Sequence, residues 1–328
     1  MSKMLITGVA GFIGSTLADR LLADGHEVVG VDSFEDYYPR SLKEAHLANA
    51  RANPRFALVE CNLVDLATNH AECTRVAKLR RALAEVDVVY HLAAQAGVRA
   101  SWGSSFRTYV DNNVLATQLL LEQCTKTGVG KLVYASSSSV YGDSPHLPLR
   151  EDGPCRPLSP YGVTKLAGEQ LCDLYCRNFG VPTVSLRFFT VYGPRQRPDM
   201  GFHRFILALL AGEDIVVYGD GEQTRDFTYV DDIVQGLVTA RHAPAGLVMN
   251  LGGGSRISLK NALLTLGRAS GIPVRMKMQE RAAGDVRHTW ADVSLARDVL
   301  GFAPQTALEA GLRREFEWLL CGHVAGGH

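Results

Sequence analysis

Tyr161 and Lys165 stand four positions apart in Ser159-Pro160-Tyr161-Gly162-Val163-Thr164-Lys165. On a helix that spacing places a phenol and an ammonium on one face. A neighbouring cation favours the ionised phenol and is expected to draw its pKa down from about 10 toward neutrality. A phenolate held there can take the proton of an alcohol while the same carbon gives up a hydride. Upstream run four serines, Ser136 to Ser139, and Ser137 precedes Tyr161 by 24 residues. Such a run can be a turn whose hydroxyls satisfy their own backbone. Its place before Tyr-x-x-x-Lys favours a functional use instead.

Hydride chemistry needs an acceptor, and the N-terminal segment offers a place for one. Thr7-Gly8-Val9-Ala10-Gly11-Phe12-Ile13-Gly14 joins an apolar strand to a helix. Glycines let the backbone turn tightly and approach a pyrophosphate, whose charge then faces a helix N-terminus. Gly14 allows that helix to pack closely on the strand. Asp32 ends the next strand, 18 residues after Gly14, where a carboxylate accepts hydrogen bonds from a ribose diol and repels a 2′-phosphate. Ser33 and Phe34 follow, with no arginine to hold such a phosphate. The expected cofactor is NAD rather than NADP.

This order of glycine loop, serine and Tyr-x-x-x-Lys resembles the extended short-chain dehydrogenase/reductase superfamily along almost the whole chain. Longer stretches resemble its UDP-glucuronate 4-epimerases: Val31 to Tyr38, His91 to Arg99, Leu186 to Pro194, Arg197 to Met200 and Arg225 to Asp232. The resemblance implies that Tyr161 removes the C4 hydroxyl proton of a UDP-sugar, that Lys165 binds the nicotinamide ribose, and that Ser137 bridges Tyr161 to the sugar. NAD contacts are expected at Gly8, Gly11, Phe12, Ile13, Gly14, Asp32, Asn62, Leu63, Leu92, Ala93, Ala94, Tyr161 and Lys165. Asn113 joins them as a structural or cofactor-proximal amide.

For the sugar nucleotide the resemblance points to Ser137, Ser138, Ser139, Arg99, Thr190 and Arg197. Arg225 and Arg281 are candidates for the diphosphate, with Asp285 beside them. Tyr218 either stacks on uracil or is a half-buried strand aromatic. If the sugar carries a C5 carboxylate, its 4-keto form loses CO₂ readily unless donors restrain that group. Ser138, Ser139 and Arg197 are placed to supply them. Related decarboxylases and 4,6-dehydratases carry a carboxylate just after the catalytic Ser or Thr, and here both positions are serine. Three readings stand beside the uronate one: a 4-epimerase of UDP-glucose or a UDP-N-acetylhexosamine, a UDP-glucuronate decarboxylase or nucleotide-sugar 4,6-dehydratase that the two serines disfavour, and a nucleotide-sensing module that has lost catalysis. The presence of Tyr161 and Lys165 argues against the last.

The elements that must position these residues are legible as an α/β pattern. Strands are expected at Lys3–Thr7, Glu27–Asp32, Phe56–Glu60, Asp87–His91, Lys131–Ser136 and Thr183–Phe188, with helices at Phe12–Leu22, Arg75–Glu85, Ser105–Lys126 and Pro160–Phe179. Buried runs separated by helices make a Rossmann-type doubly wound parallel sheet. The expected division is 1–189 for NAD and 190–328, richer in Gly and Pro, mainly for the nucleotide sugar. Gly246–Leu251 is expected to return to the main sheet, so that the second, smaller domain interleaves with the first.

Of 328 residues 46% are apolar and 21% charged, and 34 basic residues balance 34 acidic ones. That balance disfavours a nucleic-acid partner. No apolar run approaches the roughly 20 residues of a membrane span, and the start runs straight into a strand. Seven cysteines without a C-x-x-C pair suggest a reducing cytoplasm. Cys172 and Cys176, one turn apart, read as small apolar side chains rather than metal ligands, so no metal is expected. The helices 105–126 and 160–179 carry spare apolar positions (Val110, Leu115 and Leu119; Leu166, Leu171 and Leu174), and by the resemblance they pair across a two-fold as a homodimer.

Overall fold

The computed structural model describes residues 1–67, 74–280 and 286–325. A seven-stranded sheet forms its centre: β1 (Lys3–Thr7), β2 (Glu27–Asp32), β3 (Phe56–Glu60), β4 (Val88–His91), β5 (Lys131–Ser137), β6 (Thr183–Phe188) and β7 (Val248–Leu251). Their spatial order is β7-β6-β5-β4-β1-β2-β3, every pair parallel. The chain moves outward from β1 in one direction to β3 and then returns to build the other half from β4. The reversal opens a crevice beyond the carboxyl ends of β1 and β4, where ligands of open parallel sheets sit.

Alternation along the strands divides the core in two. Met4 and Ile6 join the cluster that holds the first helix, α1 (Phe12–Ala23), and most of the second half of the chain. Leu5, between them, faces the other cluster, beneath α2 (Thr74–Glu85), α3 (Ala116–Thr127) and α4 (Pro160–Phe179). Both faces are therefore covered, as unbroken apolar strands require.

The expected helix over 105–126 is interrupted. A turn of α-helix at Phe106–Tyr109 passes into a π-helical segment at Val110–Leu115 before α3 begins. The wider turn accompanies a buried Asn113, whose amide bonds to Gln95 and Thr164. Beyond β6 the structure breaks into two-stranded pieces: Ile215–Tyr218 with Met276–Gln279, Thr224–Asp226 with Arg256–Ser258, and Val191–Tyr192 with Thr228–Tyr229. β7 lies against β6, with Leu251 opposite Phe188.

Candidate active site

The glycine loop follows β1 at the crevice. Gly8 has φ +70°, and a Cβ there would lie 2.8 Å from the Ala93 backbone N, so β4's exit can pass this close only to glycine. Gly14 is closed to a side chain in the same way by the Gly8 carbonyl. Gly11 precedes α1 without a side-chain cap, which leaves the first-turn N–H groups to an anion. Beside the loop, at the end of β2, Asp32 accepts from the Ala10 N–H at 3.0 Å and the Phe34 N–H at 2.8 Å. Burial pushes its carboxyl up and those two amides oppose it. Lone pairs remain for a diol.

A cleft of about 230 Å³ runs along this loop. Gly8, Gly11, Phe12, Ile13, Gly14, Asp32, Asn62, Leu63, Leu92, Ala93, Ala94, Tyr161 and Lys165 all line it. A backbone cradle too tight for any Cβ, an uncapped helix start and a carboxylate at the end of the adjacent strand fit a dinucleotide. The structure adds Lys43, which sequence reasoning missed. It lines the same cleft, bonds to the Glu35 carbonyl and places its charge near Asp32. Only the fold of the segment after β2 brings it there, so spacing carried no signal for it.

β5 ends on the serine run, and the four hydroxyls divide. Ser136 turns inward and donates to Glu169, which Arg187 grips through Nε at 2.9 Å and Nη2 at 2.8 Å. Ser137, Ser138 and Ser139 turn to the other side, where the Ser137 hydroxyl meets the Ser139 amide and hydroxyl at 3.2 and 3.1 Å. α4 starts at Pro160, capped by the Ser159 hydroxyl accepting from the Gly162 N–H at 3.1 Å. Tyr161, Lys165 and Glu169 follow at four-residue intervals on its sheet-facing side.

The expected depression of Tyr161 by Lys165 is corrected by the structure. Burial pushes the phenol up, and what opposes it is a hydrogen bond with Ser137 and the charge of Arg197. Burial also draws Lys165 down to about 8, with Cys172 and Glu169 acting against it. Its ammonium donates to the Ala135 carbonyl at 2.7 Å and lies 5.0 Å from the Tyr134 ring centre. Lys165 is thus anchored to β5, and the groups that favour phenolate come from the substrate side.

A second cleft, about 1100 Å³, opens from Tyr161 toward the second half of the chain. Ser137, Ser138, Ser139, Arg99, Thr190, Arg197 and Tyr218 line it. The Arg99 guanidinium lies over the Tyr218 ring at 4.5 Å. Arg225 lines instead an adjoining hollow of about 170 Å³ shared with Ser138, Ser139 and Thr190. Arg204, not anticipated from sequence, joins the wall of the larger cleft. Asn113 does not reach either cleft: its amide is spent on Gln95 and Thr164, and its neighbour Asn112 lines the cofactor side. Arg281 and Asp285 lie outside the described residues. His91 is buried and bonded to Thr7 at 2.7 Å and Thr117 at 2.9 Å, a packed histidine of the core.

Comparison with known proteins agrees with this geometry. Residues 4–252 match the family described as "NAD dependent epimerase/dehydratase". A UDP-glucuronate 4-epimerase of Thermodesulfobacterium geofontis is 38% identical over 97% of this chain and 96% of its own. A UDP-glucose 4-epimerase of Mycolicibacterium smegmatis is also 38% identical, over 96% of this chain and 98% of its own. Among solved structures, the UDP-glucuronic acid 4-epimerase of Bacillus cereus in complex with UDP-glucuronic acid and NAD superposes with a TM-score of 0.91, at 42% identity, covering 98% of this chain and all of that one. With the glycine cradle, the Tyr161–Lys165 helix and the seven-stranded sheet all in place, this chain belongs to the NAD-dependent epimerase/dehydratase family.

Proposed function

We propose that the protein catalyses NAD-dependent 4-epimerisation of a UDP-sugar, interconverting UDP-glucuronate and UDP-galacturonate. The observation that carries this reading is Arg197. It lines both clefts, its charge acts on the Tyr161 phenol, and Ser138 and Ser139 share its cleft. A guanidinium with hydroxyl donors nearby is what a sugar carboxylate beside C4 requires.

The glycine loop, Asp32, Asn62 and Lys165 would hold NAD, which supplies a reversible hydride acceptor when bound. Tyr161 takes the C4 hydroxyl proton and later returns one, with Ser137 bonded to the phenol and to the sugar hydroxyl. Lys165, fixed on the Ala135 carbonyl, would offer its ammonium to the nicotinamide ribose. Ser138, Ser139 and Arg197 hold the carboxylate so that its bond to C5 stays away from the perpendicular to the carbonyl plane, the geometry from which CO₂ leaves. With serine at both positions, no side-chain carboxylate follows Ser137 to take up the dehydratase or decarboxylase role. Arg225, in the hollow beside Ser138, meets the diphosphate, and Tyr218 the uracil. Residues 1–189 serve mainly the cofactor and 190–328 mainly the nucleotide sugar.

A second reading, an epimerase of uncharged UDP-hexoses, has one observation in its favour: Arg197 is already paired with Asp199 at 3.0 Å. Incubating the protein with UDP-glucuronate and UDP-glucose separately and following the sugar protons by NMR decides between them. Conversion of UDP-glucose alone would overturn the uronate reading.

We also propose a cytoplasmic homodimer. Cys124, Cys155, Cys172, Cys176 and Cys321 are free thiols, which suits a reducing compartment, and no described helix is long and apolar enough to cross a membrane. On α4, Val163, Leu174 and Phe179 are exposed, and Phe106 stands out from the preceding helical turn of the α3 arm. Val163 and Leu174, about three turns apart, share one face of α4, and such exposed apolar side chains suit helix pairing with a second copy. A sedimentation mass of one chain at micromolar concentration would refute the dimer.

A further inference from the structure

We propose that Asp199, tied by Tyr37, is a positioning residue that aims Arg197 at the carboxylate of a uronate ligand and so sets the preference between charged and neutral sugars. This rests on the uronate reading above. Arg197 donates through Nε to Asp199 Oδ1 and through Nη2 to Oδ2, both at 3.0 Å. The Tyr37 hydroxyl donates to the same Oδ2 at 3.2 Å. Three donors converge on one carboxylate, and the guanidinium is held by its Nε–Nη2 edge. That leaves both N–H groups of Nη1 and one of Nη2, the parallel fork that a second carboxylate accepts.

The pair belongs to the cleft wall. The Arg197 side chain is 18% exposed and that of Asp199 36%. Tyr37 supports it from the cofactor side, since Tyr37 follows Asp32 by five residues and, like Arg197, lines both clefts. Its ring centre lies 5.9 Å from the Arg197 guanidinium. The opposite wall is shaped around the same hydroxyl: Gly97 has φ +106°, and a Cβ there would lie 2.7 Å from the Tyr37 oxygen. An arginine fixed before its ligand arrives does not have to be ordered on binding, which favours the ligand able to use it. A neutral C6 hydroxymethyl group gains little from that arrangement. Asp199, filled by its own three donors, has less tendency to repel the incoming carboxylate than a bare acid would.

The test uses NAD-loaded wild-type protein, Tyr37→Phe and Asp199→Asn, each titrated calorimetrically with UDP-glucuronate and with UDP-glucose. Each variant is expected to bind UDP-glucuronate about five- to tenfold more weakly, as loss of a charge-assisted contact implies, with UDP-glucose affinity unchanged. A glucuronate-to-glucose affinity ratio unchanged in both variants overturns the proposal. Tighter UDP-glucuronate binding by Asp199→Asn also overturns it, by making Asp199 a competitor for Arg197. If Asp199→Asn fails to fold, Tyr37→Phe alone decides, because it removes one hydroxyl and leaves the ion pair. A wild-type protein that binds both sugars equally removes the uronate reading and this proposal together, and is distinguished because it appears without any substitution.

Discussion

Replacing Arg187 with Met should destabilise the protein by several kcal/mol, through a group that touches neither cleft's ligand. The side chains of Arg187 and Glu169 are 5% and 3% exposed, with two bonds of 2.8 and 2.9 Å between them. Without the guanidinium, the Ser136 hydroxyl is the hydrogen-bond partner left to Glu169 among the described residues, with Lys165 one helical turn away on α4. Removing one member of such a pair costs about 3–5 kcal/mol, because it strands a buried charge. At roughly 2 °C per kcal/mol for a chain of this size, the melting midpoint should fall by about 6–10 °C. Differential scanning calorimetry of the cofactor-loaded protein reads it directly. The double variant Glu169→Leu/Arg187→Met removes both charges and should recover a large share of the loss. An Arg187→Met midpoint within about 2 °C of wild type, or a double variant no better than the single, would refute this account of the pair.

Other outcomes follow from the same site. Tyr161→Phe should lower turnover by about 10²–10⁴-fold while NAD content after purification stays that of wild type; unchanged turnover would contradict the assignment of the base. Ser137→Ala removes one of the two influences that hold the Tyr161 pKa down, so the rising limb of the kcat/KM profile should move to higher pH. Glu169→Gln removes a charge that supports the Lys165 ammonium against burial, so activity should be lost at a lower alkaline pH than in wild type. His46 and His91 are held by burial down at about 4 and about 3, below the ordinary 6.5. The unfolded chain then binds more protons than the folded one below 6.5, and stability should decline as pH falls from 6.5 toward 4. A melting midpoint flat over that window would contradict it.

What could be seen in the sequence was what lies close along the chain. Gly8 to Gly14, Asp32 and Tyr161 with Lys165 belong to single turns or strand ends, and short-range spacing fixes their geometry. The strands of the sheet were equally visible, because apolar runs between helices have few other uses. The rest depends on contacts between distant segments. Asp199 meets Tyr37 across 162 positions, and Lys43 reaches Asp32's surroundings only through the fold of the segment after β2. The direction of the Tyr161 shift escaped for the same reason. Helical spacing puts Lys165 beside the phenol but does not reveal that both groups are desolvated or that Lys165 is anchored to the Ala135 carbonyl. The π-helical turn at Val110–Leu115 is also a tertiary effect, for the apolar periodicity there suits an uninterrupted helix. Ser136 shows the limit within a motif: four identical residues read alike, yet strand alternation sends one of them to Glu169.

The most direct check is to run the reaction on UDP-glucuronate in deuterium oxide and examine C4 of the epimer by NMR. Formation of UDP-galacturonate with protium retained at C4 is the predicted result, since only the hydroxyl proton handled by Tyr161 exchanges with water. Deuterium at that carbon, or no epimer at all, would contradict it.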